Sequence, residues 1–160
     1  MTTPINPEQF TQALLFLLDE TFESVHGVYL DKGTSLFETL ETISAEEASI
    51  PVGGRCATLA AQVEHVAFYL DVLARFIQNQ NPGKVDWGEI WGRVKGVTPD
   101  EWSASKRALR QAYQRIVALV RSSSETWAQQ ENAMGGAIGL VAHTAYHLGE
   151  IRQALCTLKG

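Results

Sequence analysis

The chain has 160 residues, 45% of them hydrophobic and 19% charged, with a net charge of −5 at pH 7. That length fits a single domain, 1–160, able to bury roughly 70% of its unfolded surface without staples. The acidic balance argues against a general binder of nucleic acid or anionic membranes, since both need a basic face, and no apolar run approaches the length of a transmembrane helix.

The chain opens with MTTPINPEQF, which lacks the basic and apolar regions of a secretion signal and so predicts a cytoplasmic protein. Asn6 is placed to cap a helix, Pro7 suits its first position and Gln9 completes a capping box. Phe10, Leu14, Leu17, Leu18, Thr21 and Val25 follow at helical spacing, so a first helix is expected to run to about residue 27.

Residues 31 to 55 read as a long connection with short helical pieces. Ser35 with Glu38 and Ser44 with Glu47 form two further capping boxes, and Pro51, Gly53 and Gly54 break the chain. A second long helix is expected over 57–78. On its wheel Leu59, Val63, Val66, Leu70, Leu73 and Ile77 form one apolar stripe. Ala61, His65, Phe68 and Val72 form another beside it, while Glu64, Asp71, Arg75 and Gln78 share the polar face.

Residues 79 to 103 form a loop carrying Trp87, Trp91 and Trp102, expected either to anchor the loop or to roof a pocket. A third helix is expected over 99–121, burying Trp102, Leu109, Tyr113, Ile116 and Val120, with Arg107, Arg110, Gln114 and Arg121 on a solvated face. A fourth is expected over 132–158, with Leu140, Val141, Leu148, Ile151, Leu155 and Leu158 apolar among small residues. Strand and hairpin signals are nearly absent. The pattern predicts an all-α four-helix bundle with a long helical connection between helices 1 and 2.

The histidines carry the chemical signal. His143 and His147 stand at i, i+4, which puts two imidazoles on one helix face about 6 Å apart at Cβ. They adjoin Leu140, Ile151 and Ala154, and His65 faces inward from the second helix. Burying polar rings together costs several kcal/mol unless they are compensated, and a cation would supply the compensation. Packed core histidines are the plainer alternative. The zincin histidine spacing is present, but Thr144 occupies the position of the zincin general base. A di-iron carboxylate bundle would need two Glu-x-x-His motifs, and none contains His65, His143 or His147. A mononuclear three-histidine site remains.

The stretch from Thr58 to His65 and the stretch His143-Thr144-Ala145-Tyr146-His147-Leu148-Gly149-Glu150-Ile151 resemble the second- and fourth-helix motifs of the DinB-like superfamily. The tryptophan-rich segment from Asp86 to Trp102 is similar to that family's loop before helix three. The resemblance covers nearly the whole chain. It implies a four-helix bundle, often a homodimer, holding one divalent metal, usually nickel or zinc, on His65, His143 and His147. Some relatives are transferases or isomerases that use a low-molecular-weight thiol. Glu150 departs from the family, where glutamine is frequent; a carboxylate there can support a ligand, act as a base or bind the metal itself.

Two classes of function follow. One is a metal-dependent enzyme acting on a small-molecule substrate, by thiol transfer or by hydrolysis with Glu150 as a base. The other is a non-catalytic metal- or ligand-binding bundle. Tyr146 is expected to pack near the pocket, His26 to serve a structural or surface role, and Cys56 and Cys156 to be free, buried thiols.

Overall fold

A computed structural model describes residues 6–54, 56–78, 80–122 and 133–160. Among these the regular structure is all helical, with no strand. The helices are α1 (Pro7–Phe22), α2 (Leu36–Glu41), α3 (Ala45–Ala48), α4 (Leu59–Ile77), α5 (Glu89–Arg93), α6 (Pro99–Ser122) and α7 (Ala133–Lys159), with a 3₁₀ turn at Val52–Gly54 before α4. None is long and apolar enough to cross a membrane.

The long helices pack in a cycle. α4 lies against α6 and α7, and α1 lies against the same two. The buried faces are the ones that periodicity selects: Leu59, Val63, Val66 and Leu70 from α4, Trp102, Leu109, Tyr113, Ile116 and Val120 from α6, and Leu140, Leu148 and Ile151 from α7. Leu14, Leu18 and Phe22 of α1 complete the core. Phe22 stacks on Tyr113 with ring centroids 4.4 Å apart, joining α1 to α6.

The connection between α1 and α4 is structured. Ser35 and Ser44 head α2 and α3 with reciprocal capping boxes, as their spacing predicts. The Trp102 indole N–H donates to the Ile43 carbonyl at 2.8 Å, pinning the start of α6 to this connection. Ser49 Oγ accepts from the Val97 amide at 2.9 Å, tying the connection to the segment before α6. Arg110 donates to both carboxylate oxygens of Glu23 at 2.9 and 3.0 Å and lies over the Phe37 ring, so part of the arginine face of α6 is engaged rather than solvated.

α1 ends at Phe22, five residues before the expected boundary. The cause is Glu20, whose carboxylate is buried and accepts backbone N–H groups of Val28, Tyr29 and Leu30 at 2.8–3.0 Å. Satisfying those donors folds the chain back over α1, with Gly27 at φ 81° making the reversal. The Tyr29 hydroxyl bonds Thr21 beside it. His26 bonds Asp19 at 2.6 Å and stacks on Phe16, a surface clasp at the same turn. Both cysteines are free, as expected, but exposed rather than buried. Cys56 lies between the 3₁₀ turn and α4, and Cys156 sits on the outer face of α7, where neither reaches the core.

Burial pushes the Glu20 pKa up, but the N–H donors of Tyr29, Leu30 and Val28 together bring it below the ordinary 4.5. A folded-state pKa below the unfolded one gives stability that is present above pH 4.5 and is lost as the pH falls through the folded value. Glu20→Gln is therefore expected to lower unfolding free energy at pH 7 by about 1–3 kcal/mol. It should also flatten the loss of stability below pH 4.5. Urea melts at pH 7 and pH 3.5 test both; equal wild-type and variant stabilities at pH 7 would contradict the assignment.

Candidate metal centre

Three histidines converge between α4 and α7. His65 comes from α4; His143 and His147 come one turn apart from α7. Each offers one nitrogen, and these three nitrogens lie within 4.8 Å of one another. The ring centroids stand 4.5 Å apart for His143 and His147, 4.7 Å for His65 and His147, and 5.3 Å for His65 and His143. The structure thus brings together all three residues that the sequence singles out.

Aromatic rings wall the cluster. Tyr69 stacks on His143 with centroids 3.7 Å apart and Trp91 stacks on His65 at 4.4 Å. Trp87 packs edge-on to Phe68 and tilted to Tyr69, closing the outer side of α4. The three loop tryptophans therefore divide their roles. Trp102 anchors, Trp87 covers α4 while staying partly exposed, and Trp91 lies directly over a histidine of the cluster. Thr144, in the place of a zincin general base, is fully buried and donates its hydroxyl to the Leu140 carbonyl at 3.0 Å, so it takes no part in the cluster.

His147 has polar support that its neighbours lack. Its Nδ1 lies 2.7 Å from Gln62 Oε1 and 2.9 Å from Glu150 Oε2. Gln62 precedes His65 by three residues on α4, and Glu150 follows His147 by three on α7, so both reach His147 from an adjoining turn. Glu150 thus sits behind the His147 ring, on the nitrogen turned toward it. Tyr146 is exposed rather than packed; its ring meets His147 edge-on at 5.1 Å, and its hydrogen bond to Glu150 raises the phenol pKa. A surface cleft of about 490 Å³ opens beside this pair, lined by Gln62, Tyr146, Glu150, Gln153, Cys56 and Leu59 among others. Gln62 carries no motif of its own. Its signal is only that a polar residue lies one turn before an inward histidine.

The electrostatics match rings held neutral. Desolvation, then the charge of a protonated His147, lowers the His65 pKa to about 4. Desolvation, with His147 and His65, does the same for His143. Desolvation also lowers His147, opposed by Glu150. Neutral imidazole is the form that binds a metal. Moreover, His65 Nδ1 and His143 Nε2 are buried with no hydrogen-bond partner. An unpartnered buried polar atom costs about 1–3 kcal/mol, and a cation between the rings would accept both lone pairs. The residues present therefore fit a divalent metal. Donors of a tetrahedral zinc stand roughly 3.3 Å apart, from Zn–N distances of about 2.0–2.1 Å. Nitrogens already within 4.8 Å of one another need close by only about 1.5 Å at most.

If those nitrogens lack partners, the metal-free protein should not suffer when one ring is replaced by an apolar group. His143→Leu is expected to leave the metal-free thermal midpoint unchanged or raise it, and a destabilisation above about 1 kcal/mol would show a hydrogen bond at Nε2 instead. The depressed histidine values also set a pH window. Stability is full above the unfolded value of 6.5 and declines as the pH falls toward the folded values of about 4. His143→Leu should make that decline shallower in chelator-treated samples.

No protein-family model, no curated protein and no solved structure matches this chain.

Proposed function

We propose that this chain is a mononuclear metal-dependent enzyme, a DinB-like four-helix bundle of α1, α4, α6 and α7 that transfers a low-molecular-weight thiol to an electrophilic small molecule. The observation that supports it best is the convergence of three imidazole nitrogens, with His65 Nδ1 and His143 Nε2 buried and unpartnered. Imidazole donors suit nickel and zinc among the divalent metals, and the family resemblance favours the same two. The resemblance further implies a homodimer.

His65, His143 and His147 would hold the metal through three neutral nitrogens, leaving positions open. Bound there, a divalent metal would lower the pKa of a coordinated thiol or water and hold the deprotonated group as a nucleophile. Tyr69 stacks on His143 and Trp91 on His65, contacts that keep bulk water off those ring faces. Trp91 is in reach of both His65 and His147, 6.2 Å from the latter, and forms an apolar wall against which an electrophile can lie. Glu150 is engaged with His147 Nδ1 and Tyr146, which favours transfer of a thiol over hydrolysis, since hydrolysis would call on that carboxylate as a base.

Metal analysis of protein purified without an affinity tag tests the reading. One equivalent of nickel or zinc per chain is expected, falling by tenfold or more in each of His65→Ala, His143→Ala and His147→Ala. Wild-type protein that stays metal-free after incubation with either ion, with thermal midpoints unmoved by the ion, would overturn it. A screen of small thiols against alkylating and epoxide electrophiles should then give a product whose formation a chelator abolishes.

A further inference from the structure

We propose that Glu150 is a positioning residue that fixes the ring tautomer of His147, so that Nε2 is left bare toward the histidine cluster. The proposal concerns the metal-free chain and deepens the metal-centre reading, on which its consequence for affinity rests.

A neutral imidazole carries one N–H, and which nitrogen holds it is decided by the partners of the ring. His147 Nδ1 faces two groups, Gln62 Oε1 at 2.7 Å and Glu150 Oε2 at 2.9 Å. Gln62 alone would not decide the matter. Its amide can present oxygen or NH2 to the ring with almost the same shape. In the NH2 orientation Nδ1 becomes the acceptor and the ring proton moves to Nε2, where it would block a cation. A carboxylate has no such second orientation, because it only accepts. With Glu150 at 2.9 Å the proton belongs on Nδ1, and Gln62 is then obliged to turn its oxygen to the same N–H.

The placement is specific to this ring. His65 and His143 rest on aromatic faces and have buried nitrogens with no partner. His147 alone of the three is held by side-chain acceptors on two helices, Gln62 from α4 and Glu150 from α7. A glutamine at position 150 would set two amides around one ring nitrogen, each able to accept or donate, and would lose the one group that cannot reverse.

The test uses the full chain, 15N-labelled and treated with chelator, at neutral pH. Long-range proton–nitrogen spectra report each histidine tautomer, and His147→Phe assigns the signal. The expectation is Nδ1–H for His147 in the wild type and in Gln62→Leu, and a mixture or the Nε2–H form in Glu150→Gln. Circular dichroism checks that the variants fold. The dissociation constant for zinc should rise about 10–100-fold in Glu150→Gln and less in Gln62→Leu. An Nε2–H wild type would overturn the proposal without any variant. So would a folded Glu150→Gln that keeps Nδ1–H, or a switch caused by Gln62→Leu alone. If the tautomers behave as stated but the wild type takes up no zinc or nickel, the positioning role stands and the metal-centre reading falls.

Discussion

Gathering three imidazoles into one dry corner strips water from every ring at once, and the rest of the structure answers that cost. Each ring has polar nitrogens that want partners, and only His147 finds them in other side chains. His65 and His143 are packed face-on against Trp91 and Tyr69, contacts that satisfy the ring faces but not the buried nitrogens. Desolvation then holds the set neutral, with His65 and His143 near 4. A core selected only for stability would replace such rings with leucine, because an apolar side chain of similar volume leaves no orphaned nitrogen. Rings left with orphaned nitrogens in this way are what the proposed metal-centre reading calls for.

The scaffold serves that corner by fixing α4 against α7. α6 packs on α4, α1 packs on α7, and the two meet through Phe22 and Tyr113, which closes the cycle around the pair. The long connection does not hang free. Trp102 and Ser49 bolt it to the start of α6, and Lys159 reaches from the end of α7 to the Thr42 carbonyl at 2.8 Å. At the far end of α1, the buried Glu20 gathers three consecutive backbone donors and so turns the chain. The ends of the long helices are thus tied by polar groups bonded to backbone, while the middle is left to apolar packing and the histidines.

Much of this was legible in the sequence, because helical periodicity reports burial directly. The α4 and α6 stripes, the two serine capping boxes and the inward placing of His65, His143 and His147 all follow from spacing. What failed did so for physical reasons. The end of α1 was missed because Glu20 looks like a solvated acid, and its partners are backbone amides that have no residue signature. The cysteines were read as core residues from average behaviour, whereas Cys56 and Cys156 lie at an element boundary and on an outer face. Gln62 escaped, and Trp91 was not told apart from the other loop tryptophans, because their roles depend on how α4, α5 and α7 meet, which no single-helix wheel contains. The expected start of the fourth helix at 132 lies outside the described residues.

On the proposed reading, the division of labour around His147 bears on which chemistry the site supports. Hydrolysis by an ordinary route needs a base that can take a proton from water in front of the ligands. Glu150, the carboxylate nearest to hand, lies behind His147 with one oxygen on Nδ1 and a hydrogen bond from Tyr146. Drawing it forward would strip the ring of its acceptor at the moment when the ligand most needs it. Tyr69 beside His143 is no substitute, since burial raises its pKa and keeps the phenol protonated in the neutral range. A thiol asks for less. Its free pKa lies near 8.5, so a cation alone brings it to the thiolate at neutral pH, with the proton released to solvent. A centre whose one carboxylate is committed to orienting a ligand is therefore better matched to holding a thiolate against an electrophile than to activating water.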